Sequence, residues 1–390
     1  MKKNRFVAPL CITASLTLFA CASTNLDGKK STNFISIQDG RAELSDGAVV
    51  LGNGTNTFAV ITLQDGKLSV QNEFPMPTSL VGPPTSIAIL PNRKYALVTA
   101  ATKLDPADPK KVISADVVSL VLISDSVGPS KVVTTAKAGA GASGVAINRE
   151  GTLALIANRV EGTVSVFEIN GEQLKENTKI MIAEKSGPSH VVIAPNGKKA
   201  FLTRDGDHQV SVLDINGLNV TLSKRNIYAG LKPYCIDIDP SGSYAVVGNL
   251  GFGQGDSDSI SLIDLTVEPP RVIDTVSVGQ TPEGVAFSSS GNLVGVTVIN
   301  GSNKPKASSF YGQASYKLFS IKNGKLFFMS EVIGGNWLQG QAFTADDRNV
   351  VIQDAMNKEM RLYKIDGNQV TDTGERLKMK AAPATIRYWK

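Results

Sequence analysis

Two side chains suited to nucleophilic and acid–base chemistry stand at the same position of adjacent sequence repeats. His190 lies in the phrase Gly-Pro-Ser-His, and Cys235 lies in the phrase Pro-Tyr-Cys. A thiol beside an imidazole loses its proton more easily and becomes a nucleophile. The sequence offers no evident third group to orient the imidazole. We therefore expect a buried structural cysteine beside a hydrogen-bonded histidine.

A charged loop follows His190 in the same repeat. It contains Arg204, Asp205, Asp207 and His208. If the chain is a hydrolase, His190 would be the general base, and Arg204 or backbone amides would stabilise the oxyanion. His190 and Arg204 are the catalytic residues predicted under that hypothesis.

Other patterns are too sparse to hold a metal or a cofactor. Two histidines and one cysteine in the domain are too few for a zinc centre. Asp256 and Asp258 alone do not complete a calcium site. Residues 139–144 match a dinucleotide motif in their letters, but they lead into a strand rather than a helix. The sequence predicts no metal, no cofactor and no covalently attached haem.

A repeated phrase must position these residues. Each copy has a proline or its replacement, an alternating apolar run, a tight turn and a second apolar run. The copies begin at Pro84, Ala142, Pro188, Pro233, Pro282 and, more weakly, Leu338. A period of roughly 40 to 50 residues with only strand-like patterning is typical of a β-propeller. Each repeat predicts one blade of four strands, A to D.

The sequence predicts one all-β domain over residues 34–390, a seven-bladed β-propeller. Residues 383–389 would form one more inner strand A, and residues 48–51, 58–63 and 68–71 would supply its outer strands. Both chain ends would thus close the last blade and remove the free sheet edges. Residues 34–43 could instead form a different first strand or a cap on the disc.

The long loops are predicted to share one face of the disc. In a propeller the B–C and D–A connections lie on one face, here called the loop face, and the A–B and C–D turns lie on the other, the turn face. The long B–C loops are residues 101–116, 249–258 and 299–315, whereas the A–B turns are uniformly short. Function usually lies on variable loops of a rigid scaffold, so we expect the loop face to be the working face.

A ligand-binding mouth is expected where the central channel reaches the loop face. The two residues before each strand A would point into it, and a mixed polar ring suits a small molecule. The predicted ligand-binding members are Ser86, Ser189, Tyr234, Cys235, Glu283, Gln339 and Thr385. Tyr311 and Trp337 would stack a ligand or partner, or else pack the longest insertion onto the disc.

The first residues are typical of an export signal. Lys2, Lys3 and Arg5 precede an apolar run that is too short to span a bilayer, so residues 1–20 are predicted to be a signal peptide. The phrase Leu-Phe-Ala-Cys21 resembles a bacterial lipobox, which implies that Cys21 is lipidated. Cleavage after Ala22 without lipidation is the alternative.

The segment after the signal predicts the cellular location. Residues 21–33 would be the lipidated cysteine and a polar, flexible tether. The resemblance to lipoproteins implies the periplasmic side of a bacterial envelope, at the outer membrane. The alternative is a soluble periplasmic or secreted protein, and the membrane would be contacted through the lipid alone.

Charge and cysteine content narrow the classes of partner. Without Lys2, Lys3 and Arg5 the chain has 37 basic and 35 acidic residues, a net charge of +2. That balance gives no electrostatic basis for binding nucleic acid. Only Cys235 remains in the domain, which excludes a disulfide framework.

The repeat phrases resemble those of the YVTN-type, lactonase-like seven-bladed propellers over residues 45–390. Gly187-Pro-Ser-His190 is similar to the Gly-Pro-Arg-His phrase of propeller lactonases related to phosphogluconolactonase, with Ser189 in place of arginine. The resemblance implies that His190 is the family's histidine. The family's second histidine phrase falls near residues 142–144, where this chain has no histidine.

Three functions are consistent with these features. The first is a cell-envelope binding or scaffold module that engages a protein, glycan or small ligand through its loop face. The second is a lactonase-like hydrolase that acts on a small cyclic ester in the central funnel. The third, implied by a likeness to the propeller chains of amine dehydrogenases, is a non-catalytic subunit of a periplasmic oxidoreductase.

Overall fold

The computed structural model describes residues 31–124 and 129–390. These residues form thirty β-strands and no helix, so within them nothing helical could span a membrane. The predicted signal peptide, Cys21 and most of the predicted tether lie outside the described residues.

The N-terminal part contributes five strands. They are β1 (Ser31–Asp39), β2 (Ala42–Ser45), β3 (Ala48–Leu51), β4 (Thr57–Gln64) and β5 (Lys67–Pro75). Blade 1 consists of β6 (Ile87–Ile89), β7 (Tyr95–Leu104), β8 (Val112–Leu122) and β9 (Lys131–Lys137). Blade 2 consists of β10 (Ala142–Ile147), β11 (Leu153–Asn158), β12 (Thr163–Asn170) and β13 (Gln173–Met181).

Blades 3 to 6 repeat the same antiparallel pattern. Blade 3 consists of β14 (Pro188–Ile193), β15 (Lys199–Arg204), β16 (Gln209–Asn216) and β17 (Asn219–Ile227). Blade 4 consists of β18 (Pro233–Ile238), β19 (Tyr244–Asn249), β20 (Asp258–Asp264) and β21 (Arg271–Gly279). Blade 5 consists of β22 (Pro282–Phe287), β23 (Leu293–Val298), β24 (Ser315–Lys322) and β25 (Lys325–Ile333). Blade 6 consists of β26 (Leu338–Phe343), β27 (Asn349–Asp354), β28 (Glu359–Asp366) and β29 (Gln369–Lys378).

Both chain ends build blade 7, as predicted. Its inner strand is β30 (Ala382–Tyr388), and its sheet has the order β30-β1-β4-β5. Phe34 pairs with Tyr388 and Ile37 pairs with Thr385 in an antiparallel register. The C-terminal strand is therefore held by main-chain hydrogen bonds to the N-terminal part of the chain, and the ring is closed.

Two details of the closure differ from the prediction. Residues 48–51 do not enter the blade but form β3, which pairs only with β2 in a separate hairpin. Residues 31–33, predicted to belong to the tether, begin strand β1. Burial explains both differences, because residues 34–39 of β1 are buried throughout whereas Ala48, Val49 and Val50 are exposed.

The core lies between the blades rather than within one sheet. The described residues form seven buried apolar clusters, and each joins two adjacent blades. One example packs Leu155 and Val166 of blade 2 against Val191 and Leu202 of blade 3. Every interface around the ring has such a cluster, so each blade is covered on both faces. This two-sided burial explains why its strands are near-continuous apolar runs in the sequence.

The long B–C connections lie on the loop face, as predicted for blades 1, 4 and 5. In blade 1 the insertion is mainly an extension of β7 and β8, with pairing out to Leu104 and Val112. Blade 7 adds a fourth insertion, residues 40–56, which holds the β2–β3 hairpin. The B–C turns of blades 2, 3 and 6 are short, so the insertions fall in two neighbouring pairs, blades 7 and 1 and blades 4 and 5.

Candidate functional site

The channel is sealed at the loop face and open at the turn face. Strand A has six residue positions, numbered here so that Pro188 is position 1 of blade 3. In blades 1, 3 and 7 positions 1 to 4 are buried, and positions 5 and 6 are partly exposed. The strands run from the loop face to the turn face, so solvent enters from the turn face. Within residues 31–124 and 129–390, the channel thus opens on the turn face rather than on the loop face where the mouth was predicted.

A cavity of about 500 Å³ fills the open part of the channel. Its walls are the inner strands, and its rim includes Pro195, Pro240 and Ser289 of three A–B turns. His190 and Cys235 lie in the wall, toward its inner end. This is the size of an ordinary small-molecule site in a protein.

The predicted mouth residues instead form a buried polar plug. The Trp337 indole N–H donates to Glu283 Oε2 at 2.7 Å, and Gln339 Nε2 donates to Glu283 Oε1 at 3.2 Å. Between the adjacent blades 7 and 1, the hydroxyls of Ser86 and Thr385 are 2.9 Å apart. Burial raises the pKa of Glu283 to about 7, although its two hydrogen bonds oppose that shift. These groups satisfy one another's hydrogen bonds, and of these residues Gln339 also lines the cavity.

Two other predicted members complete the plug through an arginine. Ser189 donates to Asp205 Oδ1 at 2.9 Å, and Arg159 donates to Ser189 Oγ at 2.7 Å. The Arg159 guanidinium lies 5.5 Å from the centre of the Tyr234 ring. Burial raises the pKa of Tyr234 well above its ordinary value, so this phenol stays neutral. Arg159 holds the loop-face ends of blades 3 and 4 together.

His190 and Cys235 meet, but not as an activated pair. Cys235 Sγ is 3.8 Å from His190 Nδ1, and the same nitrogen accepts the backbone N–H of Ile236 at 3.2 Å. Burial, and then the charge of Arg387, lower the pKa of His190 to about 3. Burial raises the pKa of Cys235 to about 11. Both groups are neutral at physiological pH, as expected for a structural pair.

Arg204 does not share a site with His190, which corrects the predicted oxyanion contact. Its side chain is only 6% exposed and is paired with Asp207, and it donates to Ser211 Oγ at 2.9 Å. Asn158 and Asn249, at the same strand-end position of blades 2 and 4, also bond to serines of their neighbouring strands. Arg204 therefore fixes a B–C turn, and it is absent from the cavity wall.

Tyr311 lies apart from the other predicted ligand-binding residues. With Phe310 it lines a recess of about 290 Å³ on the loop face, formed by the insertions of blades 4 and 5. Trp337, by contrast, belongs to the plug through Glu283. Sequence reasoning grouped these two aromatic residues, and the structure separates them.

The cavity contains two charged residues that the sequence analysis missed. Asp237 and Arg387 both occupy position 5 of strand A, in blades 4 and 7, and both line the cavity. The residues at position 5 around the ring are Ala88, Ala146, Val192, Asp237, Ala286, Ala342 and Arg387. Two blades separate this pair on one side of the ring and three on the other, so the two positions lie on opposite sides of the channel. Aligning position 5 would have revealed them.

The environment of each charge suits a role in ligand binding. Asp237 Oδ2 accepts the backbone N–H of Phe287 at 2.8 Å. Burial nevertheless raises the pKa of Asp237 to about 6, and Arg387 partly offsets the shift. The Arg387 guanidinium donates to the carbonyl of Ile386 at 2.9 Å, which leaves other N–H groups for a ligand. Among the described residues, no cluster of three or more His, Cys, Asp or Glu could hold a metal ion.

Comparison with known proteins supports the family resemblance. The family model described as lactonase, 7-bladed β-propeller, matches residues 162–304. The expected resemblance to lactonase-like seven-bladed propellers is confirmed. The match includes blades 3 and 4 complete, with His190 and Asp237, but it does not reach Arg387. No protein of curated function matches the chain.

Solved structures share the fold at low sequence identity. A candidate 6-phosphogluconolactonase from Bacteroides fragilis superposes with a TM-score of 0.72 at 15% identity, covering 92% of this chain and 98% of that one. A periplasmic gluconolactonase from Pseudomonas aeruginosa gives 0.70 at 13% identity, covering 93% and 99%. Hydrazine synthase from Kuenenia stuttgartiensis gives 0.59 at 19% identity, covering 75% and 79%. At these identities the likeness shows the propeller fold alone.

Proposed function

We propose that this protein binds a small, hydroxyl-rich acid or its cyclic ester in the central cavity. The observation that supports this proposal most directly is the placement of Arg387 opposite Asp237 in a ring otherwise made of alanine and valine. A guanidinium binds a carboxylate or an ester carbonyl, and a carboxylate accepts hydrogen bonds from hydroxyls. A sugar acid carries both groups within the length of one small molecule.

Lactone hydrolysis in the same cavity is the second candidate. The match to the lactonase family model favours it, as do the gluconolactonases among the structures of similar fold. Asp237, with a pKa of about 6, would take a proton from water, and Arg387 would stabilise the charge that develops on the ester oxygen. His190 would not be the base in this mechanism, because its Nδ1 accepts a backbone N–H and its pKa is low.

Binding is tested by calorimetric titration of the protein with D-gluconate. We expect Arg387→Met to weaken binding by about tenfold or more, since a charge-assisted hydrogen bond is lost. Arg225→Met removes an exposed arginine on the outer strand of blade 3 and should leave the affinity unchanged. Equal affinity of the wild type and Arg387→Met would refute the proposed site.

Hydrolysis is tested by proton release from a panel of sugar lactones. We expect Asp237→Asn to lower the rate by about a hundredfold, and the wild-type rate to fall below about pH 6, where Asp237 becomes protonated. Gluconate binding without turnover of any lactone would leave the binding function alone. Turnover that persists in Asp237→Asn would exclude this carboxylate as the base.

The cellular location remains a proposal from the sequence. We infer that the protein is held at the periplasmic side of a bacterial envelope by a lipid on Cys21, since the lipobox-like phrase follows an export signal. Labelling with a radioactive fatty acid, in the wild type and in Cys21→Ser, tests the anchor. Engagement of a macromolecular partner through the loop face likewise stays a prediction.

A further inference from the structure

We propose a second binding site on the loop face, for an oxyanion joined to a flat apolar body. It is a recess of about 440 Å³ between the loops of blades 2, 3 and 4, and it is separate from the central cavity. The residues that line it are Arg159, Val160, Lys185, Gly187, Asp205, Gly206, His208, Lys232 and Phe252. We call it the cationic recess.

The recess has an excess of positive charge. Arg159 is already neutralised by Asp205, which lies within ion-pair distance at 2.5 Å. Lys185 and Lys232 form no ion pair with any carboxylate among residues 31–124 and 129–390, unlike Lys199 or Lys317. Two lysines without counter-ions that converge on one concavity attract an anion, since the recess offers no competing free carboxylate.

The walls also present apolar surface. Phe252 is 60% exposed and Val160 is 64% exposed, so two large apolar side chains line one recess with more than half of their surface in water. Lys232 Nζ lies 5.4 Å from the centre of the Phe252 ring, and His208 meets that ring edge-on at 6.1 Å. A cation and an apolar ring that are already in contact suit a ligand in which the anion and the flat group are adjacent.

His208 supplies a further donor and fixes the loop that carries Lys232. Its Nδ1 accepts the backbone N–H of Lys232 at 3.2 Å, so in the neutral ring the proton is on Nε2. His208 has a φ of 61°, at the turn position where blade 2 has Gly162 with a φ of 73°. His208 thus places a side chain at a left-handed backbone position, which glycine adopts without strain but other residues do not.

The oxyanion of the ligand could belong to a carboxylate or to a phosphate, and the probes distinguish these two groups. Fluorine NMR titrations of the full chain would use para-fluorobenzoate for a carboxylate and para-fluorophenyl phosphate for a phosphate. The uncharged para-fluorobenzyl alcohol has the same ring without the charge. We expect at least one anion to bind about tenfold or more tightly than the alcohol. Equal binding of all three, or no anion binding up to about 10 mM, would overturn the proposal.

Variants locate the binding in the recess. We expect Lys232→Met and Lys185→Met each to weaken the preferred anion by about fivefold or more, and Lys232→Arg to retain most of the affinity. Phe252→Ala should weaken the anions and the alcohol alike, because it removes apolar contact. Lys325→Met, at the start of β25 beside the C–D turn on the opposite face, is the matched control and should bind as the wild type does.

One further variant separates this site from the central cavity, which also holds a cation. Arg387→Met removes any binding of the fluorinated anions in the central cavity, and the share of their binding that Lys232→Met abolishes should persist in it. Loss of their binding in Arg387→Met, with Lys232→Met unaffected, would place the anion in the cavity and refute the recess. The urea midpoint of each variant, compared with the wild type, shows whether a loss of binding reflects a loss of folding.

Discussion

At the scale of single residues, the position of a charged residue along strand A decides whether its side chain is sealed in the plug or reaches the cavity. Glu283 at position 2 lies in the sealed plug, whereas Asp237 and Arg387 at position 5 reach the open cavity. Repeat alignment could have found the position-5 pair, because five of the seven blades have alanine or valine there. It could not have shown that position 2 is sealed, because that depends on contacts such as Gln339 to Gly82.

Glu283 makes the stability of the protein depend on pH. Burial raises the pKa of this carboxyl from 4.5 to about 7, so the folded state binds the proton more tightly than the unfolded chain does. Its contribution to stability is therefore present below pH 4.5 and is lost as the pH rises to about 7. The free energy of unfolding should lose on the order of 3 kcal/mol over this window.

Urea unfolding of the wild type and Glu283→Gln across this pH range measures the effect. We expect the free energy of unfolding of Glu283→Gln to increase relative to that of the wild type as the pH rises. The opposite contribution of His190, whose pKa is lowered, is present in both proteins and cancels. A difference that does not vary with pH would show that Glu283 titrates normally.

At the scale of elements, threonines of strand B connect one blade to the next. Thr203 Oγ1 accepts the backbone N–H of His190 in its own blade and donates to the carbonyl of Tyr234 in blade 4 at 2.5 Å. Thr297 makes the matching pair of bonds with Gly284 and Gln339. Strand A has no strand on its channel side, so these hydroxyls satisfy groups that would otherwise be unpaired.

Removing one such hydroxyl should cost stability without changing side-chain volume. Thr203→Val leaves the N–H of His190 and the carbonyl of Tyr234 unpaired and buried, and we expect a loss of about 1–3 kcal/mol in the free energy of unfolding. Thr221→Val, on the exposed outer strand of the same blade, should change it by less than about 0.5 kcal/mol. Similar losses in both variants would mean that the interblade bond adds nothing.

The repeat pattern predicted the blades well because alternation and turns are local signals. The strand that completes blade 7 was harder to choose, since residues 34–39 and 48–51 are both apolar. Only the packing of β1 against blades 6 and 1 decides between them: Phe34 contacts the cluster of blade 6, and Ile35 contacts the cluster of blade 1. Side chains on the two sides of β1 thus pack in two different apolar clusters, and no local sequence pattern indicates this.

At the scale of the whole molecule, the stability of the ring depends on the contacts of the blade that closes it. Ile386 of the C-terminal strand is completely buried in the cluster between blades 6 and 7. The indole of Trp389 also donates to the Arg93 carbonyl of blade 1 at 2.7 Å. The last nine residues therefore join three blades that are contributed by distant parts of the chain.

Truncation of one closing side chain should weaken the whole disc. We expect Ile386→Ala to lower the free energy of unfolding by about 2–5 kcal/mol, because it leaves a cavity in the closing blade. Ile333→Ala removes the same atoms from a side chain that is 65% exposed and should have a much smaller effect. Chemical denaturation followed by circular dichroism compares the two variants, and equal midpoints would contradict a role for closure.

The direction of β1 has a consequence for access to the cavity. Ser31 pairs with Gln64, beside a C–D turn, so the chain upstream of Ser31 departs from the turn face, onto which the cavity opens. An extended residue spans at most about 3.5 Å, so a group fixed at Cys21 stays within about 35 Å of Ser31. A lipid on Cys21 would therefore keep the Ser31 edge of the turn face within about 35 Å of the bilayer surface. The cavity mouth opens on that same face, so the distance over which a membrane-bound ligand would have to travel to reach it would be bounded by the length of this link.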